Sequence, residues 1–167
     1  LVIEKGGFRL GVFTVLGRQF MPPRECPFRS ADEIIGKLEE RVDAIVAEIH
    51  CEATSEKIAF GRYLDGRVAA VVGTHTHIPT ADAYVLPKGT AYITDLGMSG
   101  PYESVLGREI DPVLQKFLDG MPRRFGVAEH DIRTSGAIVE IESGRAITIQ
   151  LFTDPKGLSE EHEEEQK

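Results

Sequence analysis

The chain has 167 residues and a formal charge of −8, long enough for one domain that buries about 70% of its unfolded surface. Its 27 acidic and 19 scattered basic residues exclude a typical nucleic-acid binder, which needs clustered Lys and Arg, but leave room for a small anionic substrate if a metal supplies local positive charge. Cys26 and Cys51 match no zinc spacing and make a poor disulfide framework, and the main apolar stretches, Val12 to Leu16 and Val68 to Val72, fall far short of the ~20 residues that span a bilayer, so a cytoplasmic protein with reduced thiols and no membrane partner is expected.

The chain begins directly on strand-like sequence, "LVIE-KGG-FRLGVFTVL", which reads as a hairpin closed through glycines. "GRQFMPPRECPFRS" is then a loop, because Pro22, Pro23 and Pro27 exclude a ladder or a helix interior. Ser30 and Glu33 have capping-box spacing, and Ile34, Ile35 and Leu38 follow at helical intervals, so a helix is predicted from Ala31. "DAIVAEIH", residues 43–50, reads as a strand. "ATSEKIAFGRYLDG" follows as a helix capped by Thr54 and ended by Gly66 in the left-handed region, and "RVAAVVG" is a second apolar strand. Strand, helix and strand over some thirty residues form a βαβ unit with two parallel strands ending on one edge.

Further on, "GTAYITD" is a strand candidate and "DLGMSGP" a glycine-rich loop. Asp111 and Pro112 open a helix as cap and first residue, with Val113, Leu114, Phe117 and Leu118 as a buried stripe and Gly120 as its stop. "GAIVEIESGRAITIQLF" is a hairpin about Ser143-Gly144, and residues 154–167 read as an acidic, disordered tail in which His162 is idle.

Three of the five histidines, His50, His75 and His77, directly follow the two strands of the βαβ unit. Parallel neighbours about 4.8 Å apart would gather them on the carboxyl edge of the sheet, where open α/β folds place ligands. A lone histidine at a strand end is more often a hydrogen-bonded surface residue, but three converging reverse that balance. Imidazole suits Zn, Mn, Fe or Ni. "H-x-E-A-T-S-E-K" followed by "G-T-H-T-H-x-P-T-A-D" is far more specific than "HTH" alone.

At these residues the sequence resembles the YmdB-type bacterial metallophosphoesterases, calcineurin-like dinuclear enzymes that hydrolyse phosphodiesters, cyclic nucleotides among them. The likeness runs from "TVLGR" through "HCEATSEK", "AVVGTHTHIPTADAYVLPKGTAYITDLGMSGP" and "RRFGVAE" to the last hairpin. It implies an α/β fold, part of a four-layer αββα sandwich holding the βαβ unit and the C-terminal hairpin, with residues 1–153 as the C-terminal portion of a single domain. It implies a phosphodiesterase carrying two divalent metal ions, Fe or Mn foremost and Zn as the alternative, in a homo-oligomer. His50 and His75 would bind one ion and His77 the other, and Cys51 stands where alanine is usual.

The resemblance also implies an aspartate, a bridging glutamate, an asparagine ligand and a general-acid histidine, all upstream of Leu1. The sequence contains no asparagine. The chain is therefore expected to lack the N-terminal half of the dinuclear site, to hold no catalytic acid of its own, and to be inactive unless that part is supplied. Glu52, Thr74, Thr76 and Asp82 are candidates to orient the imidazoles, with ordinary loop capping as the alternative reading. Gly97, Ser99 and Gly100 are candidates for a substrate loop, against a plain turn. Two other functions stay open: a non-catalytic metal-binding or oligomerising module, and a mononuclear zinc hydrolase using the three histidines.

Overall fold

The structure is a computed structural model that describes residues 1–22 and 25–154. The expected tail, apart from Asp154, lies outside the described residues, as does Pro23 of the expected loop. The described residues divide into two compact units, one formed by Leu1–Gly97 and Ala137–Leu151, the other by Met98–Gly136 with Phe152–Asp154.

The first unit opens with β1 (Val2–Lys5) and β2 (Phe8–Leu16), an antiparallel hairpin in register from Val2 opposite Gly11 to Lys5 opposite Phe8. Gly6 and Gly7 make its two-residue turn with φ of 60° and 82°, the positive pair that such a turn requires. Then follow α1 (Pro27–Leu38), β3 (Ala44–His50), α2 (Thr54–Leu64), β4 (Ala70–Thr74), β5 (Tyr84–Val85) and β6 (Ala91–Ile93). The six strands form one sheet in the order β1-β2-β3-β4-β6-β5, with β2, β3, β4 and β6 mutually parallel and an antiparallel strand at each edge. The expected βαβ unit, β3-α2-β4, is present, and β2-α1-β3 is a second one.

Two helix starts in this unit differ from the sequence reading. α1 begins at Pro27 rather than Ala31, with Cys26 as N-cap and Ser30 donating its amide to the Cys26 carbonyl at 2.9 Å. Proline at the first helical position needs no amide partner and already has helical φ, so the Ser30 box is not used. α2 is preceded by Ala53 instead of being capped by Thr54, and neither helix has a side-chain cap bond. These short helices are held by what they cover rather than by their ends.

α1 and α2 cover one face of the sheet. Ala31, Ile35 and Leu38 of α1 and Phe60 and Leu64 of α2 join Phe13, Val15, Ile45, Ala47, Ile49, Val71 and Tyr92 in one apolar cluster. Fully burying side chains the size of Phe60 or Leu64 contributes about 1.5–3 kcal/mol each. On the opposite face Ala70, Ala91, Val46 and Val85 pack with Ala146, Val139 and Ile149 from the last hairpin. That hairpin, β8 (Ile132–Glu142) and β9 (Arg145–Asp154), turns at Ser143-Gly144 as expected and is anchored by the Ala146 amide on the Gly89 carbonyl, 2.9 Å.

The second unit contains β7 (Gly100–Pro101), paired antiparallel with the start of β8, and α3 (Ile110–Asp119). α3 starts two residues earlier than expected, at Ile110 rather than Pro112 and with Glu109 rather than Asp111 as N-cap, and stops at Gly120, φ 72°. Its expected buried stripe is corrected: Val113 is buried, but Leu114, Phe117 and Leu118 are exposed, Phe117 by 81%. Helical periodicity identifies an apolar stripe; burial also needs an element lying against it.

Candidate metal-binding site at the carboxyl edge of β3 and β4

The parallel register sets His50 of β3 beside Thr74 of β4 and Thr14 of β2 beside Glu48 of β3. Alternation along a strand puts Glu48 and His50 on the same face. β4 runs into the loop that bears His75 through Gly73, where a β-carbon would fall on the Thr94 carbonyl oxygen, so only glycine allows this approach of the two backbones.

The structure brings His50 and His75 together. Their rings lie edge to face, 4.8 Å between centroids, with His75 Nδ1 3.0 Å from His50 Nε2. The outer nitrogens are engaged: His50 Nδ1 lies 3.0 Å from Thr74 Oγ1, and His75 Nε2 lies 3.0 Å from Glu52 Oε2. The remaining two nitrogens thus face each other. Ligand nitrogens stand about 2.0–2.1 Å from a metal such as zinc, and two of them at a right angle would be about 3 Å apart, so this pair fits adjacent positions on one ion.

His77 is exposed and stands outside this contact. Among the described residues no group of three or more His, Cys, Asp and Glu side chains is gathered as a metal centre. Thr76 and Asp82, offered as orienting residues, turn to other partners: Thr76 to Asp95, and Asp82 to the amide and hydroxyl of Thr94, 3.2 and 2.5 Å. Gly97 gives its amide to Asp95 Oδ1 at 2.9 Å, Ser99 is exposed, and Gly100 pairs with Arg133.

His75 and His77 both have positive φ, 103° and 68°, a conformation that costs a non-glycine residue about 1–3 kcal/mol and survives only where the surroundings over-determine it. Thr76 between them is the anchor. Its amide and hydroxyl donate to Asp95 Oδ2 at 3.0 and 2.8 Å, and Lys57 Nζ of α2 donates to the same oxygen at 2.7 Å. Lys57 and Asp95 side chains are both 0% exposed. Burial alone pushes the Asp95 carboxyl up, but the hydrogen bonds from Lys57, Thr76 and Gly97 prevail and hold it below its ordinary value.

Sequence reasoning missed Lys57, Asp95 and Glu48. Only Glu48 carried a readable signal, its two-residue offset from His50. Cys51, next to His50, is buried and donates to Glu56 Oε2 at 3.2 Å; burial and then that carboxylate push its thiol up to about 12, which disfavours the thiolate a metal needs. In the second unit a cleft of about 720 Å³ is lined by Glu103, Glu109, Asp111, Glu129 and His130. Its carboxylates repel an anionic substrate.

The family model described as YmdB-like protein matches residues 1–152. The chain belongs to the YmdB-like family. Among its relatives is a Bacillus subtilis protein named 2',3'-cyclic-nucleotide 2'-phosphodiesterase, 48% identical over 140 residues, covering 84% of this chain and 53% of that protein. A crystal structure of a hypothetical protein from Thermus thermophilus matches with TM-score 0.86 and 45% identity over 92% of this chain and 60% of that one. A novel phosphatase from Mycoplasma pneumoniae matches with TM-score 0.82 and 34% identity over 92% of this chain and 56% of that one. The chain thus spans little more than half the length of these relatives. The solved structures share the mixed α/β fold of this chain, in which a largely parallel sheet stands with a separate sheet of three strands. No helix among the described residues is long and apolar enough to cross a membrane.

Proposed function

We propose that this chain supplies the histidine side of a divalent-metal centre in a phosphodiester hydrolase, with cyclic nucleotides as a substrate class. The observation that carries the reading is the His50–His75 pair, whose inner nitrogens face each other at 3.0 Å while their outer nitrogens are engaged by Thr74 and Glu52. His50 Nε2 and His75 Nδ1 would hold one ion, Mn or Fe foremost with Zn as the alternative, and exposed His77 would serve a second. The chemistry such ions supply is neutralisation of charge on phosphoryl oxygens and a lowered pKa for water. Thr74 and Glu52 fix the two rings, so ligation requires little reorganisation. Asp95 and Lys57 hold the strained loop that presents His75. Two imidazoles are a sparse ligand set for an ion that takes four or more donors, which favours weak binding by this chain alone. The names of the Bacillus and Mycoplasma relatives support the reaction class.

The test is a Mn²⁺ titration of the chain, followed by hydrolysis of bis(p-nitrophenyl) phosphate by the chain alone and joined to the part of the Bacillus protein that it does not match. Weak Mn²⁺ binding that disappears in His50→Ala and His75→Ala, with turnover only in the joined form, is the expected result. Mn²⁺ binding unaffected by both substitutions would overturn the reading.

A further inference from the structure

We propose that Glu48 is a positioning residue that, through the hydroxyl of Thr74, selects which nitrogen of His50 carries the proton and so keeps Nε2 open toward His75. The inference rests on the metal-site reading above and on the protons available along one chain of hydrogen bonds, Thr14–Glu48–Thr74–His50.

Thr74 Oγ1 has a single proton, and its 2.6 Å bond to Glu48 Oε1 uses it, since an ionised carboxylate only accepts. The second Glu48 oxygen accepts the hydroxyl of Thr14 at 2.6 Å. Two donors from flanking strands, β2 and β4, therefore pin the carboxylate. With its proton given to Glu48, Thr74 Oγ1 can only accept from its other neighbour, His50 Nδ1, 3.0 Å away. A neutral imidazole has one N–H, so His50 carries it on Nδ1 and Nε2 presents a lone pair. Without Glu48 the hydroxyl could rotate and donate to Nδ1, moving the ring proton to Nε2 and closing the ligand position.

At His75 the same reasoning needs no intermediary. Glu52 Oε2 accepts from Nε2 at 3.0 Å, leaving Nδ1 as the lone pair. Both inner nitrogens then face each other as acceptors across 3.0 Å, an arrangement that a cation between them relieves. The two carboxylates act at different depths: Glu52 is half exposed and touches its ring directly, whereas Glu48 acts one hydroxyl away and within the sheet.

The experiment is two-bond ¹H–¹⁵N NMR of histidine-labelled, metal-free chain in mildly alkaline buffer, where imidazole is neutral, joined to a Mn²⁺ titration of the same samples. Wild type should show His50 as the Nδ1–H tautomer. Glu48→Leu and Thr74→Val should shift it toward Nε2–H and weaken Mn²⁺ binding by about 10–100-fold, the usual effect of losing a group that orients a ligand. Thr74→Ser, which keeps the hydroxyl, should retain the wild-type tautomer, an outcome that a purely structural role of the threonine methyl does not require. The backbone amide spectrum reports folding, and Thr74→Val carries the test if Glu48→Leu fails to fold. Nε2–H in wild type, or an unchanged tautomer in both disruptive variants, would overturn the proposal. If wild type bound no Mn²⁺, the metal reading would fail while the tautomer measurement still decided the relay.

Discussion

α2 and α3 have similar lengths, 11 and 10 residues, and opposite fates. α2 buries Phe60 and Leu64 together with two charged residues, Glu56 and Lys57. α3 has the cleaner apolar stripe yet leaves Phe117 81% and Leu118 70% exposed. The difference lies in what each helix meets. α2 crosses between two parallel strands and is pressed onto neighbours that supply a partner for each of these buried charges: Asp95 accepts from Lys57, while the Arg18 and Gln19 amides and the Cys51 thiol donate to Glu56. Burial of charge is therefore tolerated where partners are fixed, and apolar exposure persists on the part of α3 that no element among the described residues covers.

The most direct way to break this contrast is to remove the acceptor. Asp95→Ala leaves Lys57 buried and unpaired, with an expected cost of about 3–5 kcal/mol in urea unfolding, together with release of the Thr76 anchor. A mild loss would mean that water reaches Lys57 and that α2 is less tightly seated than described. Phe60→Ala should cost about 3–5 kcal/mol by the same measurement.

Acid sharpens the comparison further. Because the Asp95 carboxyl is held below its unfolded value, it contributes stability above that value, about 3.9, and the contribution fades as pH falls through the lower folded value. Asp95→Asn should therefore flatten the acid limb of a pH–stability curve below pH ~4. Thiol alkylation probes the same core at smaller scale. Backbone hydrogen bonding, chiefly from Arg29, lowers the partly exposed Cys26 thiol, whereas Cys51 is pushed up to about 12. Iodoacetamide followed by mass spectrometry should label Cys26 first and reach Cys51 only on unfolding. The smallest effect is expected on α3: Phe117→Ala should change stability by no more than about 0.5 kcal/mol, and a loss comparable to Phe60→Ala would show that the exposed stripe is covered in solution.

Much of the first unit was legible from pattern alone. Apolar runs of strand length broken by Gly66 and Gly73 define β3-α2-β4, and strand parity with parallel pairing is enough to bring His50 near His75. The Ser143-Gly144 turn was equally plain, because few residue pairs accept positive φ twice. What escaped depends on partners far apart in the chain. Lys57 in "TSEK" reads as one more surface charge until Asp95, 38 residues later, is seen beside it. The α1 start escaped because two local signals three residues apart competed, and Pro27 at the first helical position prevailed over the Ser30 box. The α3 stripe misled because periodicity reports one partner of a contact and not the other.

Gly73 has a bearing on how such a site can change. Its missing side chain lets β4 settle against the Thr94 carbonyl immediately before His75. Any larger residue there would wedge the two backbones apart at the threshold of the histidine pair, so a conservative-looking Gly73→Ala exchange would be felt as a misplaced imidazole. Substitution has a freer hand at Glu52, whose side chain is half in solvent, than at this narrow gateway.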